Sequence, residues 1–357
     1  MARTFSFAAS FAVVLLGLGL SPLAAAPSRA DQPAPVPAAT RKQVQQAVER
    51  SIVYLRAESG QWLKQRKCAA CHHAAMPLWS LSEAERQGFA VDKKFVAETT
   101  EATLGSRDKM IASKLIPGPK DPPDTRPLAR GVQTGTVFMA AIAPALPALT
   151  TGQKQSLKSI VEEILKKQAK DGSWEFFLSR PPINETQITD TVWIIMALQC
   201  DTGSGVSPAQ RRAIEQGTAW LTAARPDTYQ SKVLKLLLAI RAGKSRDQIQ
   251  ATVDELFSLQ RPDGGWRQLP EMASDAFATG QTLYVLSLAG YTAERPEIKR
   301  AINFLVATQK PDGSWPMTSR ATPDGRPGHA KLLTPITCAA GAWATLGLAR
   351  LAPVASK

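Results

Sequence analysis

The sequence predicts an all-α protein, an (α/α)6 toroid in which six helical hairpins close into two concentric rings. Two observations predict it. The motif Q-x-x-D-G-[SG]-W occurs at Gln168–Trp174, Gln260–Trp266 and Gln309–Trp315, and a degenerate copy begins at Trp220, "WLTAARPDTYQSK". The spacing corresponds to a period of roughly 50 residues, typical of stacked helical repeats. Around each copy, an amphipathic stretch is followed by a more apolar one. "RAINFLVATQ" has apolar residues three to four apart, whereas "DTVWIIMALQC", "DAFATGQTLYVLSLAG" and "TPITCAAGAWATLGLARL" are apolar all round, as interior helices are.

Taken in order, outer helices are predicted near 42–57, 92–110, 151–168, 207–223, 246–259 and 295–308. Inner helices are predicted near 74–88, 132–147, 189–200, 228–242, 275–289 and 334–350. The first hairpin is read by overlaying "AVERSIVYLRAESGQW" on "AINFLVATQKPDGSW", with Trp62 in the place of the motif tryptophan. In each motif, Asp-Gly makes the turn. The tryptophan covers the helix end, and the glutamine is available to orphan carbonyls or to the indole N–H. The proline-rich stretch Ile116–Gly131 is a long loop within a hairpin.

The flanks are of a different kind. Residues 1–30 carry Arg3, an apolar run from Phe11 to Leu20 and then small residues, the pattern of a secretory signal peptide. Residues 31–41 form a Pro/Ala-rich linker, 42–350 the toroid and 351–357 a tail. The expected protein is exported, periplasmic or extracellular, with no transmembrane segment after signal cleavage. The net charge of +13 is spread along 357 residues. It has no dense basic run with interleaved aromatics, so nucleic acid is not an expected partner.

The chemistry concentrates in "RKCAACHHAAMPLW", which holds two of the four cysteines and two of the three histidines. Cys68, Cys71 and His72 satisfy C-x-x-C-H. Two thiols can bond covalently to the haem vinyl groups, and the adjacent histidine can ligate iron, so haem c is the first reading. Distal ligands would come from Met110, Met139, Met272, Met317 or His329. Zinc is the second reading, with Cys68, Cys71 and His72 or His73 completed by Asp275, His329 or water. A dithiol or disulfide without any cofactor is the third. Cys200 and Cys338 lie in apolar helical stretches and read as buried small hydrophobes.

The three intact motifs resemble the QW repeat of the terpene cyclase and prenyltransferase superfamily, which includes squalene-hopene cyclases. The resemblance covers most of residues 42–350 and implies the toroid fold. It also implies that the inner-helix starts form a working rim. Asp190, Asp275 and the Thr337–Cys338 pair occupy such starts, with N-capping as the structural alternative for both aspartates. The acid motif D-x-D-D of the cyclases is absent, and "KDPPD" (Lys120–Asp124) is the nearest acidic pair. Trp193, Tyr229, Phe277, Tyr284 and Trp343 are candidates to line a cavity for an apolar or isoprenoid-like molecule.

These features lead to one expectation and two alternatives. The expectation is a haem-bearing toroid engaged in electron transfer or haem chemistry beside an apolar ligand, with a possible redox partner. One alternative is a non-enzymatic binding toroid with a zinc or dithiol site. The other is an isoprenoid cyclase or transferase, which the missing acid motif disfavours.

Overall fold

The computed structural model describes residues 38–66, 71–105, 134–176, 181–317, 320 and 330–354. Among them are twelve α-helices and no strand. The outer helices are α1 (Arg41–Arg66), α3 (Lys93–Leu104), α5 (Thr151–Lys166), α7 (Pro208–Ala223), α9 (Arg246–Ser258) and α11 (Pro296–Thr308). The inner helices are α2 (Met76–Arg86), α4 (Thr134–Ile142), α6 (Gln187–Leu198), α8 (Tyr229–Arg241), α10 (Ala276–Leu288) and α12 (Ala330–Leu351). A π-helical turn, Cys71–Ala75, runs directly into α2.

Burial separates the two layers as the apolar pattern requires. Every residue from Ile188 to Leu198 of α6 and from Ala276 to Leu286 of α10 is buried, whereas α9 buries only Ile249, Val253 and Leu256. Neighbouring inner helices pack side by side, with α4 against the 71–75 turn and α12 back against α2, so the inner ring closes. In the outer layer α11 and α1 close the circle in the same way.

The repeated motif is the joint of this ring. Each tryptophan is buried, and its indole donates to a carbonyl in the last turn of its own outer helix: Trp174 to Ile164, Trp266 to Leu256 and Trp315 to Leu305. Each of those carbonyls also accepts a backbone N–H at the helix end, from Lys167, Leu259 and Gln309. Each glutamine Nε2 donates to the motif glycine carbonyl and to the next outer helix. Gln168 reaches Ala213, Gln260 reaches Glu297 and Gln309 reaches Ala47. The glutamine therefore does not serve the indole, which is already satisfied by its own helix. The backbone N–H groups of Trp174 and Trp266 donate to Thr191 and Thr279 of the following inner helices. One motif thus joins three helices. In the degenerate copy the Lys235 ammonium substitutes, donating to the carbonyls of Leu221 and Ala224 at the end of α7.

Three boundaries differ from expectation. Helix α1 continues through Trp62 to Arg66, because "AESGQWLKQR" has no Asp-Gly turn and Gly60 stays helical. Trp62 is consequently a helical residue, not a motif tryptophan. The linker reading stops short of Ala39, whose N–H donates to Asn303 at 2.7 Å. The beginning of the tail is docked, since the Val354 N–H donates to the Gln87 carbonyl. Residues 1–37, the expected signal and most of the linker, lie outside the described residues, as does the 116–131 loop. No described helix is long and apolar enough to cross a membrane.

Candidate functional site at the mouth and axis of the ring

The 71–75 turn packs on α1, α2, α4 and α12, at the end of the ring where inner helices begin. A π-turn widens the helix by one residue and often marks a functional position. Here it carries His72 and His73, which are 6% and 0% exposed. Their Nδ1 atoms are 2.6 Å apart, so one proton lies between them. The His73 ring stacks on Trp62 with centroids 4.1 Å apart, and His72 meets the same indole edge-on at 5.4 Å. Ser59 of α1 donates to the His73 carbonyl. His73 Nε2 is buried without a hydrogen-bond partner, and burial pushes the His73 pKa down to about 4.

A c-type haem at this turn would be held by Cys68, Cys71 and His72. A ligating histidine normally has its second ring nitrogen engaged by a neighbour, and His72 Nδ1 is engaged by His73. In such a site His72 would ligate iron, and the thiols of Cys68 and Cys71 would hold the macrocycle. Cys68, the Cys71 side chain, Met110 and His329 lie outside the described residues. Of the other distal candidates, Met139 and Met317 are buried and Met272 is partly exposed.

The zinc set is not assembled among the described residues, where no group of three or more His, Cys, Asp or Glu gathers. Asp275 is the N-cap of α10. Its Oδ1 accepts from the Ala278 N–H at 2.8 Å and its Oδ2 from the Gln268 amide at 3.0 Å. Burial pushes its pKa up to about 6. With both oxygens engaged by the local backbone and Gln268, Asp275 is a structural cap.

Asp190 differs. It lies one turn inside α6 and is 7% exposed. Its Oδ2 accepts from the Phe176 N–H at 3.0 Å, while its Oδ1 is buried without a partner. Burial pushes its pKa up to about 7, against the hydrogen bond from Phe176. Cys338 turns towards the outer layer. It is buried on α12, where its electrostatic neighbours are Tyr54 and Glu58 of α1, so it belongs to the interface between the rings.

Three residues below Asp190 on its helix, Trp193 reaches the centre. The Trp79 ring of α2 meets Trp193 at 6.0 Å, Tyr284 at 5.3 Å and Trp343 at 5.2 Å. Phe138 stacks on Trp193 at 4.2 Å, and Phe277 meets Trp343 at 6.4 Å. Five inner helices thus send aromatic rings to one axial cluster. Trp193, Phe277, Tyr284 and Trp343, the expected cavity-lining residues, are buried and pack on one another here. Tyr229 is not part of the cluster, as its hydroxyl bonds Thr282 between α8 and α10 at 2.5 Å. Trp79 and Phe138 were missed. The spacing of Trp79, seven residues after His72 along the same helical course, was the available signal.

No family model matches the chain, and no curated protein does. Solved structures do match. Three variant structures of the type II terpene cyclase MstE from Scytonema superpose with a TM-score of 0.52. They cover 88% of this chain and 98% of theirs, at 12–14% sequence identity. Two hold the substrate geranylgeranyl dihydroxybenzoate and one the product merosterolic acid A. The fold of this chain is therefore that of a terpene-cyclase-like α-toroid.

Proposed function

We propose that this chain binds an apolar, isoprenoid-like molecule on the axis of its ring. The carrying observation is the axial cluster of Trp79, Trp193, Tyr284 and Trp343, drawn from four inner helices. Aromatic rings offer large, rigid apolar faces suited to a flexible prenyl chain. The similar fold of MstE, which holds prenylated compounds in its crystal structures, supports the same class of ligand here. The ligand would lie on the mouth side of the cluster, where Phe277 and Asp190 sit. Titrating the protein with geranylgeraniol while following tryptophan fluorescence tests this. Saturable quenching, reduced in Trp79→Leu, supports the reading, and an unchanged spectrum at millimolar lipid refutes it.

A second reading stands on its own observation: buried His72, held against His73 by the Nδ1–Nδ1 contact, directly follows C-x-x-C. We propose that the protein is exported and carries covalent haem c through Cys68, Cys71 and His72. Such a group would supply one-electron chemistry next to the apolar ligand. The full chain, produced in a host that matures c-type haem, should show a Soret band and a haem stain that survives denaturation. Colourless protein would sink this reading, and metal analysis would then decide between zinc and a bare dithiol.

A further inference from the structure

Beside the aromatic cluster, two buried glutamines face the axis with nothing to bond. Gln230 of α8 is 5% exposed and Gln281 of α10 is fully buried, and all four amide atoms lack a hydrogen-bond partner. The Trp193 indole N–H of α6, 1% exposed, is likewise unpaired. Native interiors leave few such atoms unsatisfied, and each asks for a cause.

The helix geometry sets their direction. On α8, Lys232 and Lys235 reach outward, to Glu255 of α9 and to the α7 carbonyls of Leu221 and Ala224. At 100° per residue, Gln230 lies on the face opposite Lys232, towards the axis. On α10, Gln281 stands between Phe277 and Tyr284, whose rings belong to the axial cluster, and shares their face. The Tyr229–Thr282 hydrogen bond fixes the register of the two helices. Each glutamine adjoins one member of this pair, on two inner helices that pack together. The Asp190 carboxyl, with its own unpaired Oδ1, lies one turn from Trp193.

We infer that this polar band is a recognition site for the hydroxyl group of a prenyl-type alcohol or phenol. The inference rests on the reading that an isoprenoid-like ligand enters the ring, and it adds which end of that ligand is read. An amide needs a donor for its Oε1 and an acceptor for its Nε2, and the indole needs an acceptor. A hydroxyl donates once and accepts twice, so it can serve one Oε1, one Nε2 and the indole N–H. A hydrocarbon serves none. A diphosphate offers acceptors only, leaves both Oε1 atoms unpaired, and brings negative charge near Asp190.

The test compares geranylgeraniol, a C20 prenyl hydrocarbon without the hydroxyl, and geranylgeranyl diphosphate. The full chain and Gln230→Leu/Gln281→Leu are titrated by tryptophan fluorescence. The native protein should bind the alcohol about tenfold or more tightly than the hydrocarbon. The double variant should lose that preference while keeping hydrocarbon affinity, and its melting temperature should not fall, because unpaired amides are removed. If the double variant does not fold, Gln281→Met, closer in shape, carries the comparison. Equal affinities for alcohol and hydrocarbon in the native protein would show that the amides hold only water, and would overturn the inference. So would a preference that survives in the variants, or tightest binding of the diphosphate. Failure of every probe to bind would instead overturn the isoprenoid reading, and the hydroxyl site with it.

Discussion

Replacing Gly313 by alanine should open the ring at its last joint. Gly313 has φ +88°, in the left-handed region. A Cβ there would come to 2.3 Å from the Arg50 carbonyl oxygen and 2.6 Å from its carbon, both backbone atoms of α1. The left-handed conformation costs an alanine about 1–2 kcal/mol. The clash has no flexible side chain to absorb it, so α1 must move away, for about 1–3 kcal/mol more. The motion also stretches the Gln309 bond to the Ala47 carbonyl and the Arg50 bonds to the Gln309 amide oxygen. Gly243 is the control. It has φ +71° but nothing within 4 Å of its Cβ position, so Gly243→Ala should cost only the conformational 1–2 kcal/mol. Urea unfolding of both variants measures the difference. A Gly313→Ala midpoint indistinguishable from that of Gly243→Ala would refute the claim that the motif glycine is required by the approach of the next outer helix.

Asp190 makes stability depend on pH. Its folded pKa is raised from 3.8 to about 7, so its contribution is fully present below about pH 4 and is lost as pH climbs through 7. The ceiling on that loss is about 4 kcal/mol. Asp190→Asn keeps an acceptor for the Phe176 N–H and should flatten this decline, which urea midpoints between pH 4 and 8 will show. Cys200 and Cys338 are buried, and burial pushes the Cys200 thiol up to about 12 and the Cys338 thiol well above its ordinary value. In the native protein both should resist a disulfide reagent that modifies them at once in urea; rapid native labelling at Cys338 would contradict its place behind α1. Trp79→Ala removes three ring contacts and should cost about 3–5 kcal/mol. The same variant should lose near-ultraviolet circular dichroism, while a loss below 1 kcal/mol would mean that the axis repacks freely.

The repeats, the alternation of amphipathic and apolar helices and their approximate limits are properties of short stretches. They were therefore open to inspection in the sequence alone. An Asp-Gly turn, a helix stripe or a C-x-x-C-H run is complete within a few residues. The motif's full purpose was not, because its bonds run to other helices: Gln309 meets Ala47 across the whole chain. Asp190 and Asp275 both stand near the start of an inner helix, Asp190 within the first turn of α6 and Asp275 as the N-cap of α10. Helix position and packing together make Asp275 a saturated cap and leave Asp190 with an unpaired oxygen. Cys338 was assigned to the rim from its position along α12, but the face it shows was settled by rotation of that helix against α1. Likewise Trp79, Gln230 and Gln281 acquire meaning only when ring closure aims their faces at one axis. A linear chain specifies which face of each helix is apolar. The partners of the few polar atoms on those faces are decided by the helices brought beside them in three dimensions.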